Sequence, residues 1–228
     1  MFIRHVVLLL IVFVPLAASA QPPRYPLDEV IAELKEASSP DVKPLKPNGE
    51  SKFTAPLIHL GEHPVNPKRR AEVSALLDPL LKSDYHSDQS HAVQAVVKWG
   101  TPANVPNLIS LLETDNEYVR HIAIMALGKI GGKNAAAAVG KHLAERHDQP
   151  EAARALKEMG SAAEPIAWQL IETDDVTQNK YGCEILGAVG GSKSLVRLKA
   201  LRGIRPKNFA TSQMDSAIHS MEHRLVKR

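Results

Sequence analysis

One period constrains this chain more than any other feature. Gly100, Gly131, Gly160 and Gly190 are separated by 31, 29 and 30 residues. A larger apolar residue stands directly before each: Trp99, Ile130, Met159 and Val189. A matched pair precedes it in each copy: Ala95-Val96, Ala126-Leu127, Ala155-Leu156 and Ile185-Leu186. A second register agrees. LLETD, from Leu111 to Asp115, recurs as LIETD from Leu170 to Asp174, 59 residues on and so two periods away. A repeat of about thirty residues holds two short helices and their turns.

The most regular copy is Asp115 to Leu143. Val119, Ile122, Ala123, Ala126, Leu127 and Ile130 follow the helical period and make one apolar stripe. Asp115 or Asn116 can cap the start, and Glu117 suits the positive end of the helix dipole. Gly131-Gly132 end the helix, since glycine reaches the left-handed backbone that a helix terminus uses. An alanine-rich second helix follows, with Val139 and Leu143 on its inner side. Two such helices cannot bury their own stripes, so the units must stack. The fold predicted is all-α: an α-α superhelix of about four helical hairpins, with capping helices at both ends.

The motif resembles the short HEAT-like repeat, of the phycobilisome lyase-like and armadillo-type superhelices. That pattern has an acidic residue, then Val-Arg, then Ala-x-x-Ala-Leu-Gly-x-Ile-Gly. Here it reads Asp115, Val119-Arg120, Ala123, Ala126-Leu127-Gly128, Ile130 and Gly131. The copies at 89–100, 148–160 and 178–190 match more loosely and lack an arginine at the place of Arg120. The resemblance covers roughly 84–203 and implies a fold far more than an activity. It also implies that the second helices line the concave, partner-binding face. Asn107, Ser110, Lys141, Gln169, Arg197 and Lys199 would lie there.

The chain divides as follows. Residues 1–20 read as a signal peptide: Arg4 and His5, an apolar run from Val6 to Val14, and the small-x-small site Ala18-Ser19-Ala20. Cleavage is expected between Ala20 and Gln21. The apolar run is short for a membrane span of about 20 residues, and no later segment is apolar enough to cross. Residues 21–66 read as a lead segment or linker with one short helix, Leu27 to Ala37. Residues 67–228 hold the repeats, with units near 84–114, 115–145, 146–173 and 174–203 and a C-terminal cap over 204–228. A helix from about Pro67 carries Val73, Leu76, Leu77, Leu80 and Leu81, and Pro79 is expected to kink it. Pro106 and Pro165 open second helices, where a missing N–H costs little. The single cysteine, Cys183, excludes an intramolecular disulfide and reads as a small buried residue.

Chemistry is sparse. No nucleophile elbow, phosphate loop or Cys-x-x-Cys-His site is present, and the carboxylates form no evident acid–base pair. No cofactor is expected. Asp215, His219 and His223 share one stripe of the last helix, and two histidines four apart can chelate a metal. Ser220 stands where a zinc-protease helix has glutamate, and no further ligand is evident. That stripe reads better as a solvated cap face, with the metal site a weak candidate. His142 and His147 straddle a turn. His91 takes the place of Ile122 and is expected to be partly buried and hydrogen-bonded.

Charge is the remaining signal. Residues 21–173 hold 17 Lys/Arg against 20 Asp/Glu, whereas 174–228 hold 10 against 5. Lys193, Arg197, Lys199, Arg202, Arg205 and Lys207 follow one another with no acid between Glu184 and Asp215. They are the candidate binding residues, and such a run attracts an anionic partner. The expected function is an exported protein–protein interaction scaffold, periplasmic or extracellular. Its partner is an unknown protein, acidic if the basic run binds it; nucleic acid is not expected, since the chain is exported. The alternatives are an enzyme-like accessory of the chromophore-lyase kind, which the resemblance suggests, or a structural subunit of an envelope complex.

Overall fold

The computed structural model describes residues 23–39, 45, 49–173, 175–204 and 209–226. The expected signal peptide, its Ala20–Gln21 cleavage site, Arg205 and Lys207 lie outside the described residues. Among the described residues there are twelve α-helices: α1 (Leu27–Ala37), α2 (Thr54–Glu62), α3 (Arg70–Leu77), α4 (His86–Trp99), α5 (Val105–Ser110), α6 (Glu117–Ile130), α7 (Lys133–Lys141), α8 (Gln149–Glu158), α9 (Glu164–Ile171), α10 (Val176–Val189), α11 (Ser192–Ile204) and α12 (Phe209–Val226). None of them is long and apolar enough to cross a membrane.

The helices alternate between two layers. The even-numbered helices pack on one another in chain order, and each odd-numbered helix packs on the even-numbered helix that follows it. One apolar core runs through the whole stack, from Val30, Ile31 and Leu34 in α1 to Met214 and Met221 in α12.

Local chemistry explains the helix ends. Asn116 caps α6 by accepting the Val119 N–H at 3.3 Å, and Asp175 caps α10 by accepting the Gln178 N–H at 2.8 Å, each satisfying a donor that has no partner within the helix. Gly131 and Gly132 turn the chain from α6 into α7 at φ of 75° and 98°, where a Cβ would be strained. α3 stops at Leu77, and Pro79–Lys82 continue as a 3-10 turn, because proline cannot donate into the preceding helical turn. The second helix that Pro106 opens is short: α5 ends at Ser110 and a 3-10 turn follows over Leu111–Glu113.

Close packing in the even layer depends on small residues. A Cβ on Gly128 would lie 2.9 Å from both Cα and Cβ of Ala155, and one on Gly187 would lie 3.3 Å from the Ala217 Cα. The glycine at this repeated place therefore lets α6 approach α8, and α10 approach α12.

Residues 21–66 contain more of the stack than a linker with one short helix. α1 has the bounds the apolar spacing gives, but α2 is a second helix, and Leu57 and Leu60 are buried in the common core. α2 has nine residues, among them Pro56 and Gly61, too few to display a period; stacking on α4 holds it. Trp99 Nε1 donates to the Leu60 carbonyl at 3.3 Å and ties the two helices. α1 is fastened to α3 by charge. Glu72 accepts from Arg69 at 2.6 Å and pairs with Lys35 at 2.5 Å, and Asp28 also pairs with Arg69. The Arg69 hydrogen bond, then that of Lys35, holds the Glu72 carboxyl down to about 2.

Candidate interaction surface

The odd-numbered helices α3 to α11, with the 3-10 turns that adjoin α3, α5 and α9, turn one line of side chains outward at spacing i, i+4, i+8. The exposed lines are Ala71–Ala75–Pro79, Pro102–Pro106–Ser110, Lys133–Ala137–Lys141, Ser161–Pro165–Gln169 and Val196–Ala200–Ile204. The helical period places such residues above one another on one face. Apart from Gln169 and the lysines Lys133 and Lys141, the resulting crest is made of short or apolar groups. Val196 and Ile204 are 70% and 82% exposed and flank Ala200 on one line of α11. A groove of about 580 Å³ opens between α3 and α5, walled by Ala71, Ala75, Pro79, Ala103 and Lys82. Its floor is ordered by Asp78, which accepts from the Asn104 and Asn107 amides at 2.9 and 2.7 Å.

Three of the four described cations of the basic run have ion-pair partners within the fold. Arg202 donates to both oxygens of Asp215 at 2.7 and 3.0 Å. Lys199 pairs with Glu222 at 2.5 Å. Arg197 pairs with Glu172 and lies 4.0 Å over the Trp168 ring. These partners stand 13, 23 and 25 positions away in the chain, so the run looks bare only in sequence. Lys193 is exposed and has no ion-pair partner among the described residues. Asp215, one third of the metal candidate, is thus spent on Arg202, while His219 and His223 stay exposed. Among the described residues no group of three His, Cys, Asp or Glu side chains is placed to hold a metal ion.

Lys141 stands on the face expected for it, whereas Lys82, Lys133 and one polar joint were not marked by the sequence. Lys82, Lys133 and Lys141 are exposed on the same face as Lys193, and none has an ion-pair partner among the described residues. The carboxylates on these helices are engaged: Asp78 by the two asparagines, Glu164 by the Gly191 N–H and Ser194 hydroxyl, and Glu172 by Arg197. Exposed acids stand near the starts of α4, α6 and α8, at Asp84, Glu113, Asp115, Glu117 and Glu145, where helix N-termini favour negative charge.

The joint is Asp148, which is 1% exposed. Arg120 Nε donates to its two oxygens at 2.9 and 3.1 Å, His121 Nε2 donates at 2.9 Å and His142 Nδ1 at 2.8 Å. A carboxylate only accepts, so both histidines present N–H there. Burial alone would raise the Asp148 pKa; the bonds from Arg120, His142 and His121 outweigh it and hold the carboxyl below its ordinary value. Arg120 also donates to the Thr114 carbonyl at 2.7 Å. Asp88 stands at the same distance before its glycine anchor as Asp148, 12 residues. It is 1% exposed with neither oxygen hydrogen-bonded. The other singled-out residues are structural. Cys183 is buried, and His91 is half-buried with Nδ1 donating to the Ser87 carbonyl at 2.7 Å.

Two stacked layers of short antiparallel helices around one continuous core define an α-helical repeat protein. Residues 73–157 match the family described as HEAT repeats. No curated protein matches the chain. Among solved structures, one engineered protein is similar with a TM-score of 0.50 at 19% identity, covering 86% of this chain and 98% of that one. A second engineered protein gives 0.51 at 17% identity, over 87% and 99%. At such identities the likeness is one of fold.

Proposed function

We propose that this chain is an exported, non-enzymatic scaffold that binds another protein through the face of its odd-numbered helices. The observation that carries this reading is the crest. Five successive helices expose short or apolar side chains in register, and contiguous exposed apolar surface on a folded chain marks contact with a partner. HEAT-type repeats commonly serve protein binding, which supports the same reading. Export rests on the sequence of residues 1–20 alone.

Site-specific photo-crosslinking in the envelope fraction tests it. A crosslinker at Ala137 or Val196, on the crest, is expected to trap a discrete adduct, while one at Lys129, on an even-numbered helix, traps none. Equal adducts from both faces, or none from either, overturn the assignment. Mass analysis of the exported chain is expected to give a start at Gln21; a retained Met1 refutes the signal reading.

A further inference from the structure

The crest and the lysines together say what kind of partner fits, given the scaffold reading above. We infer that the odd-helix face binds an extended, acidic segment of another protein, with its carboxylates on Lys82, Lys133, Lys141 and Lys193 and its small side chains on the crest between them.

Three observations converge on this chemistry. The four lysines are exposed without ion-pair partners among the described residues, so their charge is available to a ligand. The carboxylates on the same helices already have donors, so little repels an anion or attracts a cation. The groups between the lysines are Ala75, Pro79, Pro106, Ala137, Pro165 and Ala200, which are exposed and short. Such short side chains let an extended backbone approach the face closely.

Geometry sets the length. Packed helices lie about 8–10 Å apart, so the four steps from α3 to α11 span roughly 32–40 Å. An extended chain advances about 3.3 Å per residue, so roughly 10–12 residues reach from Lys82 to Lys193. Lys82 lies in the 3-10 turn that follows α3, Lys133 and Lys141 on α7 and Lys193 on α11; these places are two steps apart, so matching acids recur about every five or six residues. The groove between α3 and α5 receives one end of the segment beside Lys82.

The test uses the chain from Gln21 onward, which holds every described residue, and a labelled 14-residue peptide of glutamates spaced by alanine and proline. Fluorescence anisotropy at low salt is expected to show binding that weakens steeply as salt rises. A five-residue version is expected to bind at least about tenfold more weakly, and a lysine version of the long peptide not at all. Reversing Lys82→Glu, Lys133→Glu and Lys193→Glu together is expected to weaken the long peptide at least about tenfold, as three exposed ion pairs turned repulsive would. Reversing Lys68→Glu, Lys129→Glu and Lys180→Glu makes the same charge change off the face and is expected to leave affinity within about threefold. Circular dichroism confirms that both triple variants fold. Absence of binding, binding of the lysine peptide, equal binding of the short peptide, or equal loss in both triple variants overturns the inference. If the on-face variant still yields the Ala137 crosslink in the envelope at wild-type level, the scaffold reading stands and this one falls.

Discussion

Asp148→Asn is the most informative single change in the stack. The substitution keeps the shape of the side chain, removes its charge and replaces one acceptor oxygen with an NH₂ group. Three side chains donate to that carboxylate, so at least one of them then faces a donor. Losing one side of a buried ion pair costs about 3–5 kcal/mol. The Arg120 side chain is 18% exposed, so water recovers part of this, and a loss of about 3 kcal/mol is expected. In a chain of this size that lowers Tm by roughly 6–12 °C. Where the loss falls matters as much as its size. Asp148 joins α6 to the turn between α7 and α8, and repeat-stack stability is a sum of unit and interface energies. Weakening one interface lets the two sides melt separately. The chain has two tryptophans, Trp99 in α4 and Trp168 in α9, one on each side of the joint. Urea titrations of the Trp99→Phe and Trp168→Phe backgrounds each report one side. Each tryptophan change sets its own midpoint, since both rings are buried, so the Asn change is read within each background, where it is expected to shift the two midpoints by unequal amounts. Equal shifts with a loss below about 0.5 kcal/mol would refute the assignment of Asp148 as the coupling between units.

Further outcomes follow from the same geometry. Asp88→Leu removes a buried carboxylate that has no hydrogen-bond partner and is expected to raise stability by about 1–3 kcal/mol in urea titration, with an unchanged or lower midpoint as the contrary result. The Asp148 pKa is lowered on folding from 3.8, so its contribution is complete above about pH 4 and is lost as pH falls through the lower folded value. Acid titration of Asp148→Asn is accordingly expected to be flatter below pH 4 than that of the wild type; parallel curves contradict the linkage. Gly128→Val pushes a branched side chain against Ala155, 2.9 Å from the position of its Cβ, and is expected to lower stability by at least about 1–3 kcal/mol by thermal melting. Glu72→Gln removes the anion shared by Lys35 and Arg69 and is expected to speed amide exchange in 27–37 while leaving 117–130 unchanged. Uniform exchange along the chain would show that α1 is held by its apolar face alone.

The architecture was legible because it is periodic. The glycine spacing and the stripe on α6 gave the two-layer stack, and α1 matched its apolar spacing to the residue. α2 was not legible, since nine residues with a proline and a glycine show no period and only neighbouring helices hold them in place. The surface was harder for a different reason. The contiguous cations on α11 drew attention, but Glu172, Asp215 and Glu222 lie elsewhere in the chain and neutralise three of them. The lysines left over are spread across 82–193, one or two to a helix, between alanines and prolines. Asp148 shows the same limit: Arg120 and His121 precede it by 28 and 27 positions. A hint was present in the matched distance of Asp88 and Asp148 from their glycines, although only one of the two has an arginine opposite.

The crest has a consequence for how such a chain changes over time. Its side chains point away from the core, and exposed positions away from caps and networks usually tolerate substitution within about 0.5 kcal/mol. Ala75, Ala137, Gln169 or Ala200 can therefore be rewritten without disturbing the stack beneath, whereas Gly128, Ala155 and Asp148 cannot. The molecule separates what must stay constant from what is open to selection. A new recognition preference is within reach of a few surface changes at nearly unaltered stability.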